Sequence, residues 1–465
     1  MNIFPKRWQA LGYLTAGAFL SPLDYFIVNM ALPSIKKAFH ASDHQLQMVV
    51  AIYGLTYAAL VVCGGRLGDL YGRKKIFTLG LYIFLLASLA CAFSPDIRFL
   101  IISRLFQGVG ASFLAPQVLA SIRVLFTGNE QPKAVSIFSS VFGLASVAGQ
   151  LLGGFLLNLH WREFSWELVF LVNVPITLIC IIGTHFSMDN NREEKKQSID
   201  FVGALLMIAS LLMLICPVIF GRKYHWAWWI FAILLSGLVM LVIFYQYEVK
   251  SLGKNRAVLI DPTLLQHQPF VLCLLIIFFY NFTAGLFICY PYYLQQFLHS
   301  NPVETGLAII PYGAAFFLGP LIVPRIKLSP YKMTNIGLVL LIAGFSLTSI
   351  FIYLQEKPSL GTDISLFLAG LGHGIVMPVM MRQAISLISK EKAGQASGLI
   401  SISIQIGSVT GGTIIGTIFF GSIALWAFPK AFALAIFIIT AVQIIGIFLN
   451  YTLHKNNKLK QTTSI

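Results

Sequence analysis

Asp24 lies deep inside an apolar stretch at residues 11–33, and Arg104 lies inside another at 99–122. A charge in such a place is costly unless it faces a partner or a water-filled cavity, so each is a candidate functional group. Asp24 is the only carboxylate placed deep within any apolar stretch. A carboxylate held out of water can load and release a proton. It can equally serve as a structural hydrogen-bond acceptor near a helix end. Arg104 needs a carboxylate, carbonyls or water around it, and Asp24 is its candidate counter-charge. Its other reading is structural bracing.

Other polar groups in apolar surroundings are candidates for lining a cavity: Asn29, Gln107, Tyr280, Asn281, His373 and Gln405. His373, between Gly372 and Gly374, could be a second titrating group or a hydrogen-bonded bridge between helices. Gln405 has the same two readings. Tyr290, Tyr292 and Tyr293 could line a cavity too, although aromatic residues at a membrane boundary are more often anchors. The run Gly65-Arg66-Leu67-Gly68-Asp69-Leu70-Tyr71-Gly72-Arg73-Lys74-Lys75 is different. Its glycines permit a tight turn, while Asp69 can satisfy helix-end amides and pair with cations.

These residues must be positioned by helices. Of the 465 residues 57% are hydrophobic and 11% charged, against roughly a quarter charged in soluble domains. Apolar stretches fall near 11–33, 46–66, 76–93, 99–122, 133–157, 168–186, 200–220, 226–246, 269–293, 304–324, 333–353, 361–387, 395–420 and 431–453. Each is about the length of a helix crossing roughly 30 Å of hydrocarbon. Strict alternation is absent, which disfavours a lipid-facing barrel. The net charge of +15 is spread over short loops. It therefore points to orientation in the lipid bilayer rather than to nucleic acid. Basic residues concentrate on the side that carries both termini, which places those termini in the cytoplasm of a cell whose inner membrane holds the protein.

The longest loops, 188–199 and 247–268, are too short to be domains. The six cysteines have neither pairwise nor metal-ligand spacing and read as small buried hydrophobes. Lys6 and Arg7 precede an apolar stretch that Asp24 interrupts, so it reads as a retained first span rather than a cleaved leader. Gly108, Gly110 and Pro116 recur at a constant offset as Gly370, Gly372 and Pro378, and Gly149, Gly153 and Gly154 recur as Gly407, Gly411 and Gly412. This repeat predicts two parallel six-helix halves, 1–187 and 261–465, with two helices inserted in 188–260. Such repeats are a transporter architecture.

Several of these motifs resemble the major facilitator superfamily. Its signature loop matches Gly65, Leu67, Asp69, Gly72, Arg73 and Lys74. Leu23 to Pro33 resembles the first-span motif of the fourteen-helix drug:proton antiporter branch, with Phe26 and Met30 in place of the usual threonine and valine. Arg104, Gly108, Gly110 and Ala111 match the fourth-span motif, and Phe170, Asn173, Val174 and Pro175 match a sixth-span sequence. Two positions depart from the branch: Gln150 stands where its antiport motif has proline, and Glu167 where relatives usually place a basic residue. The second-half counterpart of the signature loop, Pro324 to Lys332, keeps only positive charges.

The resemblance implies an all-α integral membrane protein with the major facilitator fold, working by alternating access. It implies that Gly65, Asp69, Gly72, Arg73 and Lys74 form a gating loop, and it ties Arg104, with Asp24, to proton coupling. The expected function is proton-coupled efflux of small amphipathic or drug-like compounds by a monomer, with no cofactor and no metal. The alternative is a carrier, in the uptake direction, for an endogenous anionic or zwitterionic metabolite such as a siderophore. Enzyme signatures such as H-E-x-x-H and G-x-S-x-G are absent. No re-entrant filter or ring of charges suggests a channel.

Overall fold

A computed structural model describes residues 6–158, 166–188, 200–221, 224, 226–254, 256–423 and 425–462. Among them the regular structure is entirely helical. Fourteen helical stretches are long and apolar enough to cross a membrane: α1 Lys6–Phe39, α2 Met48–Tyr71, α3 Arg73–Ala92, α4 Ile97–Leu125, α5 Glu130–Leu157, α6 Leu168–Ser187, α7 Phe201–Phe220, α8 Trp228–Gly253, α9 Gln268–Gln296, α10 Val303–Arg325, α11 Pro330–Gln355, α12 Leu360–Ser386, α13 Lys390–Ile423 and α14 Phe428–Asn456. The charged loop expected at 188–199 lies, apart from Met188, outside the described residues.

Several helices begin where side chains replace missing backbone partners. The helix leading into α2 opens on a reciprocal cap, with Ser42 accepting from the Gln45 amide and the Gln45 side chain from the Ser42 amide. Asp96 accepts from the amides of Arg98 and Phe99 at the head of α4. Helices also overrun their apolar cores. The sequence ends the eighth span at residue 246, but α8 continues to Gly253 and carries Glu248 with it. Glu248 is buried and accepts from the Leu259 amide at 3.1 and 3.2 Å, so Asp24 is not the only buried carboxylate on a spanning helix.

Several spans are broken, α10 among them at Ile309. α4 divides into Ile97–Ser112 and Ala115–Leu125, with Pro116 in the first turn of the second piece. A proline there lacks the amide that would continue the helix. Its repeat partner Pro378 sits inside the unbroken α12. α6 divides at Val172, so that Asn173 opens its second piece, and α9 passes through a 3-10 turn at Asn281–Gly285.

The chain forms two compact units. Unit 1 comprises Met1–Thr127, Ala148–Thr263 and Ile388–Ile402, and unit 2 comprises Gly128–Val147, Leu264–Leu387 and Ser403–Ile465. In unit 1, Gly108 lies against the Tyr53 carbonyl of α2 and Gly110 against the Phe84 amide of α3, and a β-carbon at either would come within 2.6 Å of backbone. In unit 2 the recurring glycines make the corresponding approaches: Gly370 to Tyr312 of α10, and Gly372 to Gly337 and Leu341 of α11. Gly149 packs on Phe26 of α1, and Gly407 on Phe278 of α9. The sequence repeat is thus also a packing repeat, since small residues at matched positions let matched helices touch.

Candidate functional site

The buried charges meet inside unit 1. Asp24 and Arg104 are both 0% exposed and form a direct ion pair between Asp24 Oδ2 and Arg104 Nη1. Arg104 Nη1 also donates to Gln107 Oε1 at 2.7 Å, and its Nε donates to the Val49 carbonyl at 3.0 Å. The guanidinium carbon stands 4.2 Å from the centre of the Tyr53 ring. A flat cation can therefore be held by a carboxylate, a carbonyl and an aromatic face together.

Asp24 is held from the other side as well. Its Oδ1 accepts from Gln107 Nε2 at 2.8 Å and from Asn173 Nδ2 at 3.0 Å, and Gln107 Nε2 reaches Ser88 Oγ at 3.0 Å. Five elements supply the groups: α1, α2, α3, α4 and the second piece of α6. Arg104 and Gln107 stand one turn apart on α4 and so share a face. The break in α6 starts a new helix at Asn173, whose buried amide then faces Asp24. The Asp24 carboxylate is thus held by one guanidinium and two side-chain amides.

Sequence reasoning singled out Asp24, Arg104 and Gln107, which come together. It missed Asn173 and Ser88 as partners, although a lone asparagine inside an apolar run, Leu168 to Ser187, is the signal that finds Asn173. Asn29 is not in this cluster. It is exposed and donates to the Tyr25 carbonyl of its own helix at 2.8 Å.

Unit 2 holds a second polar cluster. His373 hydrogen-bonds through Nδ1 with the Tyr312 hydroxyl, its carbonyl accepts from the Tyr280 hydroxyl at 2.7 Å, and Phe316 stacks on its ring. His373 thus bridges α12 and α10, with Tyr280 of α9 joined through the backbone. Asn281 donates to the Ile277 carbonyl at 2.7 Å and accepts from Ser408 of α13 at 3.3 Å, while Gln405 is half-buried on α13. The belt expectation divides between Tyr292 and Tyr293. Tyr292 is 38% exposed, whereas Tyr293 is fully buried and donates to the Glu356 carbonyl at 2.5 Å. Adjacent helical residues point in different directions, so one faces out and the other packs on Phe432.

The signature loop has a defined geometry within unit 1. Asp69 accepts from Arg73 at 3.1 Å and from the Gly394 amide at 3.2 Å, in the first turn of the α-helical part of α13. A carboxylate is favoured at that end of a helix by its exposed amides. Gly72 adopts φ 95°, a conformation strained for residues with a β-carbon, and so permits the sharp turn from α2 into α3. Gly65 lies against the Gly394 carbonyl. Lys74 donates to the His185 and Met188 carbonyls at 2.8 and 2.5 Å, capping the end of α6 with positive charge. Among the described residues no group of three or more His, Cys, Asp and Glu is placed to hold a metal ion.

Fourteen membrane-length helices, matched glycine packing and a buried charge pair define a multi-pass helical membrane fold. The family described as the Major Facilitator Superfamily matches residues 14–200, 197–412 and 272–462. The chain belongs to this superfamily and groups with its drug-efflux branch. It is 31% identical over 429 residues to the puromycin resistance protein pur8 of Streptomyces alboniger, covering 91% of this chain and 84% of the relative. It is 30% identical over 423 residues to the probable actinorhodin transporter of Streptomyces coelicolor, covering 90% and 73%. Multidrug resistance protein Stp of Mycobacterium tuberculosis is 28% identical over 420 residues, covering 89% and 76%.

Solved structures share the fold. The human organic anion transporter MFSD10 (TETRAN) aligns with a TM-score of 0.69 at 13% identity over 96% of this chain and 100% of its own. The proton:xylose symporter XylE aligns with a TM-score of 0.68 at 12% identity, over 96% and 95%.

Proposed function

We propose that this protein is a secondary active transporter that exports small amphipathic or drug-like compounds in exchange for protons, by alternating access. The observation that carries the proton-coupling reading is the buried Asp24–Arg104 pair with its Gln107 and Asn173 contacts. Protonating Asp24 would cancel one charge of a dry pair and weaken its hold on α4 and α6. Such an event can bias helix packing without any large local movement. Efflux is supported by the relatives, several of which are named for drug or antibiotic resistance.

The gating role belongs in this reading to Gly65, Asp69, Gly72, Arg73 and Lys74, because Asp69 ties the end of α2 to the start of α13. We assign the chain to the inner membrane as a monomer with both termini cytoplasmic, in keeping with its basic loops. Its organisation is two six-helix halves, 1–187 and 261–465, around inserted helices in 188–260. Asn29, Tyr280, Asn281, His373 and Gln405 are proposed to contribute polar handles to substrate binding.

Everted and right-side-out vesicles with an imposed pH gradient test the proposal against cationic, anionic and neutral probe compounds. Gradient-driven accumulation in everted vesicles is expected, with Asp24→Asn abolishing the response to the gradient while downhill exchange persists. Unchanged gradient-driven transport by Asp24→Asn rejects the coupling role. Uptake in right-side-out vesicles would reverse the direction.

A further inference from the structure

On the side that carries the N-terminus, unit 1 contains a cavity of about 350 Å³ whose wall includes Lys6, Arg7, Arg73, Lys74 and Ser121. Four cations from α1 and α3 converge there, and among the described residues no carboxylate lines it. Lys6 and Arg7 are exposed at its edge. Two deeper groups are incomplete. Ser121 of α4 is 3% exposed and its hydroxyl has no hydrogen-bond partner among the described residues, and the buried Nε of Arg73 has none either. Lys74 is already engaged with the carbonyls at the end of α6, so it contributes charge to the cavity more than a free donor.

A buried hydroxyl and a guanidinium edge left unsatisfied beside a pocket of positive charge call for an anion that accepts several hydrogen bonds. Carboxylates offer two oxygens in one plane, whereas a phosphate presents oxygens in three dimensions to donors from α1, α3 and α4. Basic pockets between membrane helices recognise phosphate headgroups by this chemistry. We propose that this cavity binds a phosphate-bearing anion, as a lipid headgroup or as a soluble phosphate, through Lys6, Arg7, Arg73 and Ser121.

The site is separate from the Asp24 cluster, and it shares Arg73 with Asp69 of the signature loop. Binding there is therefore placed to influence the turn between α2 and α3. It does not depend on the direction or substrate of transport.

The test is the thermal unfolding midpoint of the purified full chain in neutral detergent. It is titrated with phosphatidylglycerol in mixed micelles, with phosphatidylcholine and with inorganic phosphate. A saturable rise with phosphatidylglycerol but not phosphatidylcholine is expected. A rise with inorganic phosphate as well identifies a soluble anion as sufficient, and its absence identifies the headgroup as the source. The Lys6→Gln/Arg7→Gln pair should raise the half-saturating concentration about tenfold, and Ser121→Ala should raise it about three- to tenfold, as the loss of charge-assisted hydrogen bonds requires. Lys327→Gln/Lys332→Gln, at exposed lysines outside the cavity, should leave it unchanged. No saturable rise with either anion overturns the proposal. So does equal weakening by the Lys327/Lys332 pair, which would reduce the effect to general surface charge.

Discussion

Removing either member of the Asp24–Arg104 pair strands the other in a site that is 0% exposed. Breaking a buried pair in this way costs about 3–5 kcal/mol, because an uncompensated charge remains out of water. Arg104→Ala should therefore lower the stability of the detergent-solubilised protein strongly. The same change in an Asp24→Asn background should lower it far less. Denaturant or thermal unfolding of the four proteins in this cycle measures the coupling, and additivity of the single changes would show that the pair is energetically idle. Gln107 and Asn173 moderate the effect on Asp24, since both continue to donate to it. Arg104 keeps the Val49 carbonyl, Gln107 and the rings of Tyr53 and Phe170 when Asp24 is lost.

Helix contacts in this protein are set by where β-carbons are missing. Gly108 and Gly110 bring α4 within backbone contact of α2 and α3, and Arg104 sits one turn before Gly108. Close packing on that face thus fixes the height and angle at which the guanidinium meets Asp24. Gly110→Leu should force α4 away from α3, with a cost of about 1–3 kcal/mol as in other overpacked interiors. The matched change Gly372→Leu should do the same between α12 and α11. Thermal midpoints that fall for Gly372→Leu but not for Gly110→Leu would break the packing equivalence of the two repeats. Gly12→Leu, where a β-carbon meets nothing within 4 Å, is the control that should be nearly neutral. Pro116 and Pro378 show the limit of the equivalence, since one divides its span and the other does not.

Unit 1 gathers three separate lengths of chain; an ion pair holds the last of them to the second, and the Asp69–Gly394 hydrogen bond holds it to the first. Lys392, in the 3-10 turn that opens α13, meets Asp261 at 2.5 Å, and Thr263 donates to the same carboxylate through its amide and hydroxyl at 2.9 and 2.6 Å. Burial alone would push the Asp261 carboxyl up, but these donors and the lysine charge hold it below the usual carboxylate range. A depressed folded-state pKa stabilises the fold above the unfolded value of about 3.9 and loses that effect as pH falls through the folded value. Asp261→Asn should therefore unfold at a lower temperature than the natural chain from neutral pH down to about pH 4, and the two midpoints should converge below that. A gap that stays constant down to pH 2 would assign the loss to something other than the charge. Nearby, Arg66 lies within the fields of Asp69, Glu248, Asp261 and Asp200.

The apolar lengths were enough to read fourteen spans, and the signature loop with the first- and fourth-span motifs carried the resemblance to the family, because each is confined to a short stretch of chain. Asp24 and Arg104 were legible for the same reason, as charges are rare in such stretches and stand out one at a time. Their partners were not. Asn173 reaches Asp24 only because α6 breaks at Val172, and Glu248 is buried only because α8 overruns its apolar core to meet the Leu259 amide. Likewise Tyr293 turned inward beside an outward Tyr292, and Ser121 came to face four cations drawn from α1 and α3. Which polar groups meet depends on helix rotation, breaks and contacts between residues distant in the chain. Those are fixed by the packing of many side chains at once, and no short window of sequence contains them.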